Sequence, residues 1–116
     1  MRGLTDAGIC YRISVDEPRQ IHFEWDEAKA LSNVHKHGVA FLSAMTIFRD
    51  PRIVTMFDQD HSGSEERWIS TGIASNGVLL VVVYRWAEVD TANVNVRIIS
   101  ARKATSAEQC AYQESQ

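Results

Sequence analysis

Cysteine is scarce in this chain: two residues among 116, Cys10 and Cys110, stand near opposite ends. Two distant thiols do not make a disulfide framework, and in a chain read as unexported they are more often free than paired. No CxxC or HExxH spacing occurs, which argues against a dedicated zinc site. No cofactor motif is apparent. Proline is as rare as cysteine, and the chain carries no internal repeat and no low-complexity tract, which excludes solenoids and linker-like polymers. No apolar run approaches the length of a membrane span. The start, MRGLTDAGIC, lacks an apolar signal core, so the expected location is the cytoplasm. A basic excess is missing too: 12 Lys and Arg stand against 15 Asp and Glu, for a net charge of −3. A protein that coats nucleic acid would be basic. Any contact with RNA must therefore use a small local site, and Arg97, Arg102 and Lys103 fall in a stretch without an acid.

Hydrophobic residues make up 45% and charged residues 23%, the balance of one ordinary globular domain with one core. Residues 1–20 have an irregular pattern, with Gly3, Gly8 and Pro18, and read as an N-terminal extension in which YRISV (11–15) is at most a short strand. The domain, 21–116, begins with an alternating strand, IHFEW (21–25). Asp26 then offers an N-cap and Glu27 an acid in the first turn. Ala28, Leu31, Val34 and His35 fall on one face of the helix that follows, and Gly38 ends it. Phe41, Ala44, Met45 and Phe48 recur at helical spacing and predict a second helix, stopped by Asp50-Pro51.

The period then changes. IVTMF (53–57), RWISTGIAS (67–75), VLLVVVYRW (78–86) and VNVRIIS (94–100) read as strands. DQDHSGSE (58–65) is a polar loop, and 87–93 is a looser link. Asn76-Gly77 signals a hairpin. With a two-residue turn, Ile69 faces Tyr84 and Arg67 faces Trp86. Thr105 and Glu108 form a capping-box pattern for a last helix. The expected fold is α+β: a strand, two helices, an antiparallel meander and a C-terminal helix, with helices on one sheet face and the other face at least partly open.

Three groups of residues could carry chemistry. Glu65, Glu66, Arg67, Tyr84, Arg97, Ser100, Arg102 and Lys103 have the types that RNA cleavage by its own 2′-hydroxyl needs: a base, an acid, and fixed cations for the phosphorane. Arginine suits the last role because its planar fork matches phosphate oxygens. The plainer alternative is a set of ion pairs on a sheet surface. Lys36 and His37, with His35, end the first helix, where cations are also stabilising for purely structural reasons. Asp58, Asp60 and His61 could ligate a divalent ion, but no further carboxylate cluster completes a site, and His61 reads better as a substrate contact.

The runs FEWDEAKALSNVHKHGVAF (23–41), DPRIVTMFDQDHSGSEERWISTG (50–72) and VRIISARKAT (96–105) closely resemble the BrnT family of type II toxins. The resemblance covers roughly 22–113. It implies a fold similar to the RelE ribonuclease toxins, ribosome-independent RNA cleavage, and inhibition by a BrnA-type antitoxin with a ribbon-helix-helix domain. Operator DNA would be bound only through that antitoxin. Lys36, His37 and Gly38 stand at the family's KHG motif, and Glu66 and Arg67 at its paired acid and arginine. Tyr84 stands where the family has histidine or tyrosine. Arg97, Ser100, Arg102 and Lys103 lie in the RIISARKA run. On this basis Glu66, Arg67, Tyr84 and Arg97 are the expected catalytic residues of an endoribonuclease that needs no metal. Lys36, His37, His61, Ser100, Arg102 and Lys103 are the expected RNA contacts. Residues 1–20 and the longer link before Val94 depart from the family pattern. The longer link, which also lacks the family's charged Glu-Arg pair, motivates a second reading from another class, an inactive toxin-like module that acts only through the antitoxin. The most specific geometric expectation is that Arg67, Tyr84 and Arg97 share the sheet face turned away from the helices.

Overall fold

The computed structural model describes residues 19–63 and 65–116. The possible strand at 11–15 and Cys10 lie outside the described residues. The element order is β1 (Gln20–Glu24), α1 (Glu27–His37), α2 (Phe41–Ala44), a 3-10 segment (Met45–Arg49), β2 (Val54–Phe57), β3 (Glu66–Ile73), β4 (Leu79–Glu88), β5 (Asn93–Lys103) and α3 (Ser106–Glu114). The strands form one sheet in the order β1-β5-β4-β3-β2. β1 runs parallel to β5, and all other neighbours are antiparallel. This is the α+β architecture expected from the sequence.

Local chemistry sets the helix ends. The Asp26 carboxylate accepts from the N–H groups of Ala28 and Lys29, and Gly38 closes α1 at φ 69°, a left-handed conformation that glycine adopts without a Cβ penalty. Thr105 and Glu108 form the predicted capping box. The facing of α1 differs from expectation. Leu31 is 72% exposed and Val34 47%, whereas Asn33 is buried. Asn33 faces inward because β1 pairs with β5 only as far as Arg97, which leaves that side of the β5 backbone beyond it without a strand neighbour among the described residues. The Asn33 side chain takes that place: Nδ2 donates to the carbonyls of Ala101 (2.8 Å) and Val39 (2.9 Å), and Oδ1 accepts from the Ala101 N–H (3.1 Å). A buried ladder end must be paired, and an amide reproduces the strand's own donor and acceptor. The second predicted helix is also shorter than its periodicity implies. One α-turn tightens into the 3-10 segment at Met45, yet Phe41, Ala44 and Ile47 remain in the core.

The core lies between the helices and one sheet face. Leu80, Val82 and Tyr84 of β4 and Val94, Val96 and Ile98 of β5 point into it. The Phe48 ring bridges Phe23 (5.3 Å) and Tyr84 (5.0 Å). Gly72 has no side chain because Ile47 packs against it: an added Cβ would sit 3.1 Å from Ile47 Cβ.

Two irregularities set which residues reach the other face. The β3–β4 turn has three loop residues, not two. The Gly77 N–H donates to Ala74 O, the Ala74 N–H donates to Val78 O, and Gly77 has φ 85°. A turn followed by a left-handed glycine adds one residue to the loop. The register shifts by one, so Arg67 opposes Arg85 and Trp68 opposes Tyr84. The second irregularity is a bulge in β5. Tyr84 pairs with Ile98 but Val83 with Ser100, so Ile99 is the extra residue. Beyond the bulge Ala101 stays inward while Ser100 and Arg102 join Arg97 on the outer face. The strands reach into both ends of the predicted loose link, with β4 running to Glu88 and β5 starting at Asn93, and 89–92 remain as the turn between them.

Candidate functional site: a cross-strand arginine row

The register places Arg67 opposite Arg85, and Arg85 opposite Arg97. Strands lie about 4.8 Å apart, so three guanidinium stems rise from one line about 10 Å long across β3, β4 and β5. Glu24 of β1 pairs with Arg97 at one end. At the other, the N–H of Asp58 donates to the carbonyl of Arg67 (2.8 Å). All of these residues lie on the face turned away from the core. Like charges directly opposite one another destabilise a sheet, and here two such pairs stand side by side.

Among the described residues each arginine faces one acid. Arg97 Nη1 lies 3.3 Å from Glu24 Oε2, and Arg85 Nη1 3.0 Å from Glu65 Oε1. Arg67 Nε lies 3.5 Å from Asp58 Oδ2. That contact is close enough for an ion pair but is not a hydrogen bond. Arg67 Nε is buried and has no hydrogen-bond partner among the described residues. Arg85 and Arg97 are roughly half exposed, and Arg67 is a quarter exposed. The exposed pairs of Arg85 and Arg97 are worth about 0–1 kcal/mol, so a phosphate can displace their carboxylates at small cost.

The loop between β2 and β3 brings His61 to the Arg67 end. His61 Nδ1 is 3.0 Å and 3.1 Å from the two oxygens of Asp58. Ser62 fastens this loop, its hydroxyl donating to Asp58 O (2.7 Å) and accepting from the Arg67 N–H (3.0 Å). Beside the row, Met56, Ile69 and Val83 form a cross-strand line on the same face.

The expected site residues divide accordingly. Arg67 and Arg97 do share the outer face. Tyr84 does not: it is 3% exposed in the core, and its hydroxyl shares a hydrogen bond with Ser70 (2.7 Å). The one-residue longer turn is the cause, since it turns Tyr84 and Val82 inward and Val81 and Val83 outward. Glu66 is likewise displaced. It falls on the same face as Trp68 and accepts from the Trp68 indole N–H (3.2 Å), while its neighbour Glu65 reaches Arg85. Ser100 and Arg102 lie on the outer face of β5. Arg102, however, is held by Glu108 through two 2.7 Å hydrogen bonds, which keep the Glu108 carboxyl down at about 2. Lys103 is exposed at the end of β5. Lys36 and His37 are exposed on the last turn of α1, and no described contact joins them to the row. Asp58, Asp60 and His61 do not assemble a metal-ligating group, and no cluster of three such residues occurs among the described residues. Sequence reasoning missed Arg85, which the one-residue register error sent to the wrong face, and gave Asp58 no role beyond metal ligation.

No curated protein matches the sequence. The chain is similar to the Brucella abortus ribonuclease toxin BrnT, whose crystal structure at 1.1 Å resolution superposes with a TM-score of 0.51 at 19% identity. The match covers 75% of this chain and 100% of that one, and at this identity it speaks for the fold. The family model described as "Ribonuclease toxin, BrnT, of type II toxin-antitoxin system" matches residues 25–108. That span takes in β1's last link to α1, the whole sheet beyond it and the arginine row, and with it the chain belongs to the BrnT family of ribonuclease toxins of type II toxin–antitoxin systems.

Proposed function

We propose that the protein is an endoribonuclease that grips the RNA backbone with Arg67, Arg85 and Arg97 and cleaves it without a metal ion. The observation that carries this reading is the row itself. Three guanidinium groups stand on one open face at a cost to sheet stability, and among the described residues those of Arg85 and Arg97 are neutralised by weakly held acids. Charge that builds up on a phosphorane can be met by such fixed cations, which supply the service a metal would otherwise give. Of the other expected contacts, Ser100 is the best placed, directly past the bulged Ile99 and on the same face as the row. Lys103, Lys36 and His37 are further contacts that a longer RNA would meet.

The partner is a BrnA-type antitoxin whose ribbon-helix-helix domain binds the operator, so that this chain meets DNA only through it, in the cytoplasm. The outer face suits an acidic amphipathic segment of that antitoxin, with Met56, Ile69 and Val83 beside the arginines. The experiment is cleavage of a long single-stranded transcript by purified protein with EDTA present. Cleavage that persists in EDTA and is lost in Arg67→Ala and Arg97→Ala supports the proposal. Undiminished cleavage in both variants overturns the site, and dependence on added metal overturns the mechanism.

A further inference from the structure

We infer that His61 is the proton acceptor of the cleavage step and that Asp58 is the residue that positions it, an assignment that rests on the ribonuclease reading above. A carboxylate only accepts hydrogen bonds, so the ring nitrogen that faces Asp58, Nδ1, carries the proton. The lone pair of the neutral ring is then on Nε2. The ring is 64% exposed, and among the described residues Nε2 has no hydrogen-bond partner. A base that is oriented from behind and open in front is the arrangement that general-base catalysis needs.

The same carboxylate joins this base to the phosphate-binding row. Asp58 Oδ1 takes the His61 ring at 3.0 Å, and Oδ2 lies 3.5 Å from Arg67 Nε. Asp58 is itself nearly buried, with its side chain 11% exposed, and its backbone closes the hairpin on Arg67. Ser62 ties both ends of the loop, so the imidazole is held beside the first arginine of the row and not on a free tip. The other acids near the row, Glu24 and Glu65, are each engaged by an exposed arginine, and Glu66 sits on the opposite face.

In the reaction His61 Nε2 takes the proton of a 2′-hydroxyl. The 2′-oxygen attacks the adjacent phosphorus, and Arg67 faces the charge that develops on the phosphoryl oxygens. The bond from phosphorus to the 5′-oxygen breaks. That oxygen takes a proton from solvent, and His61 returns its own proton to solvent. The products are a 2′,3′-cyclic phosphate and a 5′-hydroxyl end, with no net consumption of water.

The test compares wild-type protein, His61→Ala, Asp58→Asn and the double variant on a single-stranded transcript, with binding measured on the same RNA carrying 2′-O-methyl groups. In His61→Ala the cleavage rate falls by at least about 100-fold, while affinity stays within about threefold. Added imidazole restores part of the rate. Asp58→Asn lowers the rate about tenfold when His61 is present, yet has no effect on the imidazole-rescued rate of His61→Ala, because a free base needs no positioning. A role for Asp58 in holding the loop alone would lower both. A wild-type protein that cleaves, with His61→Ala equally fast or not rescued by imidazole, overturns this inference and leaves the arginine row standing. A wild-type protein that does not cleave at all overturns the ribonuclease reading first.

Discussion

Arg85 has two arginines as direct cross-strand neighbours, and among the described residues its acid is an exposed glutamate at 3.0 Å. An uncommitted sheet surface would carry an uncharged β-branched residue there, since opposed like charges cost roughly 0.2–1 kcal/mol per pair. The expected consequence is a separation of function from stability. Arg85→Thr lowers RNA cleavage at least about tenfold but does not lower the midpoint of urea unfolding, because the lost Glu65 pair is worth no more than the relieved repulsion. Tyr84 behaves in the opposite sense. Its hydroxyl meets Ser70, whose own hydroxyl also bonds Thr55 (2.8 Å), so removing it breaks one buried link of a short polar chain. Tyr84→Phe should leave cleavage within about twofold and cost about 1 kcal/mol in the same unfolding experiment. Catalysis lost in Tyr84→Phe with stability unchanged would return this residue to the site.

At the scale of elements, Asn33 and Glu108 each fasten a helix to β5. Asn33 makes three buried hydrogen bonds from α1, and its truncation leaves Ala101 and Val39 with unpaired backbone groups. Asn33→Ala should destabilise the fold by about 2–3 kcal/mol, which a denaturant titration measures directly. Glu108 fastens α3 through Arg102. Its carboxyl is held at about 2 by the hydrogen bonds from Arg102, well below the ordinary value of 4.5, so the folded state binds this proton less readily than the unfolded chain. The stability it contributes is complete above pH 4.5 and is lost as the pH falls from there toward 2. A Glu108→Gln variant lacks that loss, so the gap between its melting temperature and that of the wild type narrows over this acid range. Capping and strand patterns of this kind were legible in the sequence: Asp26, Gly38 and the Thr105–Glu108 box sit where local propensity puts them. The facing of α1 was not, because the need for an amide at the unpaired β5 edge is a tertiary fact that outweighs the helix's own apolar stripe. Nor was the position of Tyr84. Asn76-Gly77 announces a hairpin, but the same dipeptide serves a two-residue turn or a three-residue turn with a left-handed glycine. The difference of one residue exchanges the two faces of β4 relative to β3. Arg67 and Arg97 were found despite this, because the alternation of Val94, Val96 and Ile98 fixes the outward side of β5 without reference to the turn.

The whole molecule carries a net charge of −3, so its long-range field does not favour RNA, and binding must come from the row at short range. Three arginines that meet three phosphates of a single strand release counterions with a slope of about −0.7 each in log affinity against log salt, or about −2 in total. Affinity for a 2′-O-methylated single-stranded RNA should then fall roughly twentyfold between 50 and 200 mM salt. Arg85→Ala removes one contact and brings the slope to about −1.4, a fall of roughly sevenfold over the same range. Glu24→Gln separates the contributions further. It frees Arg97 of its 3.3 Å partner without changing the number of arginines in the row. Its slope should match the wild type while its affinity at every salt concentration is higher, since RNA no longer has to displace the carboxylate. Fluorescence anisotropy titrations at four or more salt concentrations read both quantities at once. A slope that Arg85→Ala leaves untouched would place the RNA away from the sheet face, and a Glu24→Gln affinity no higher than wild type would mean that the acids beside the row do not compete with phosphate for it.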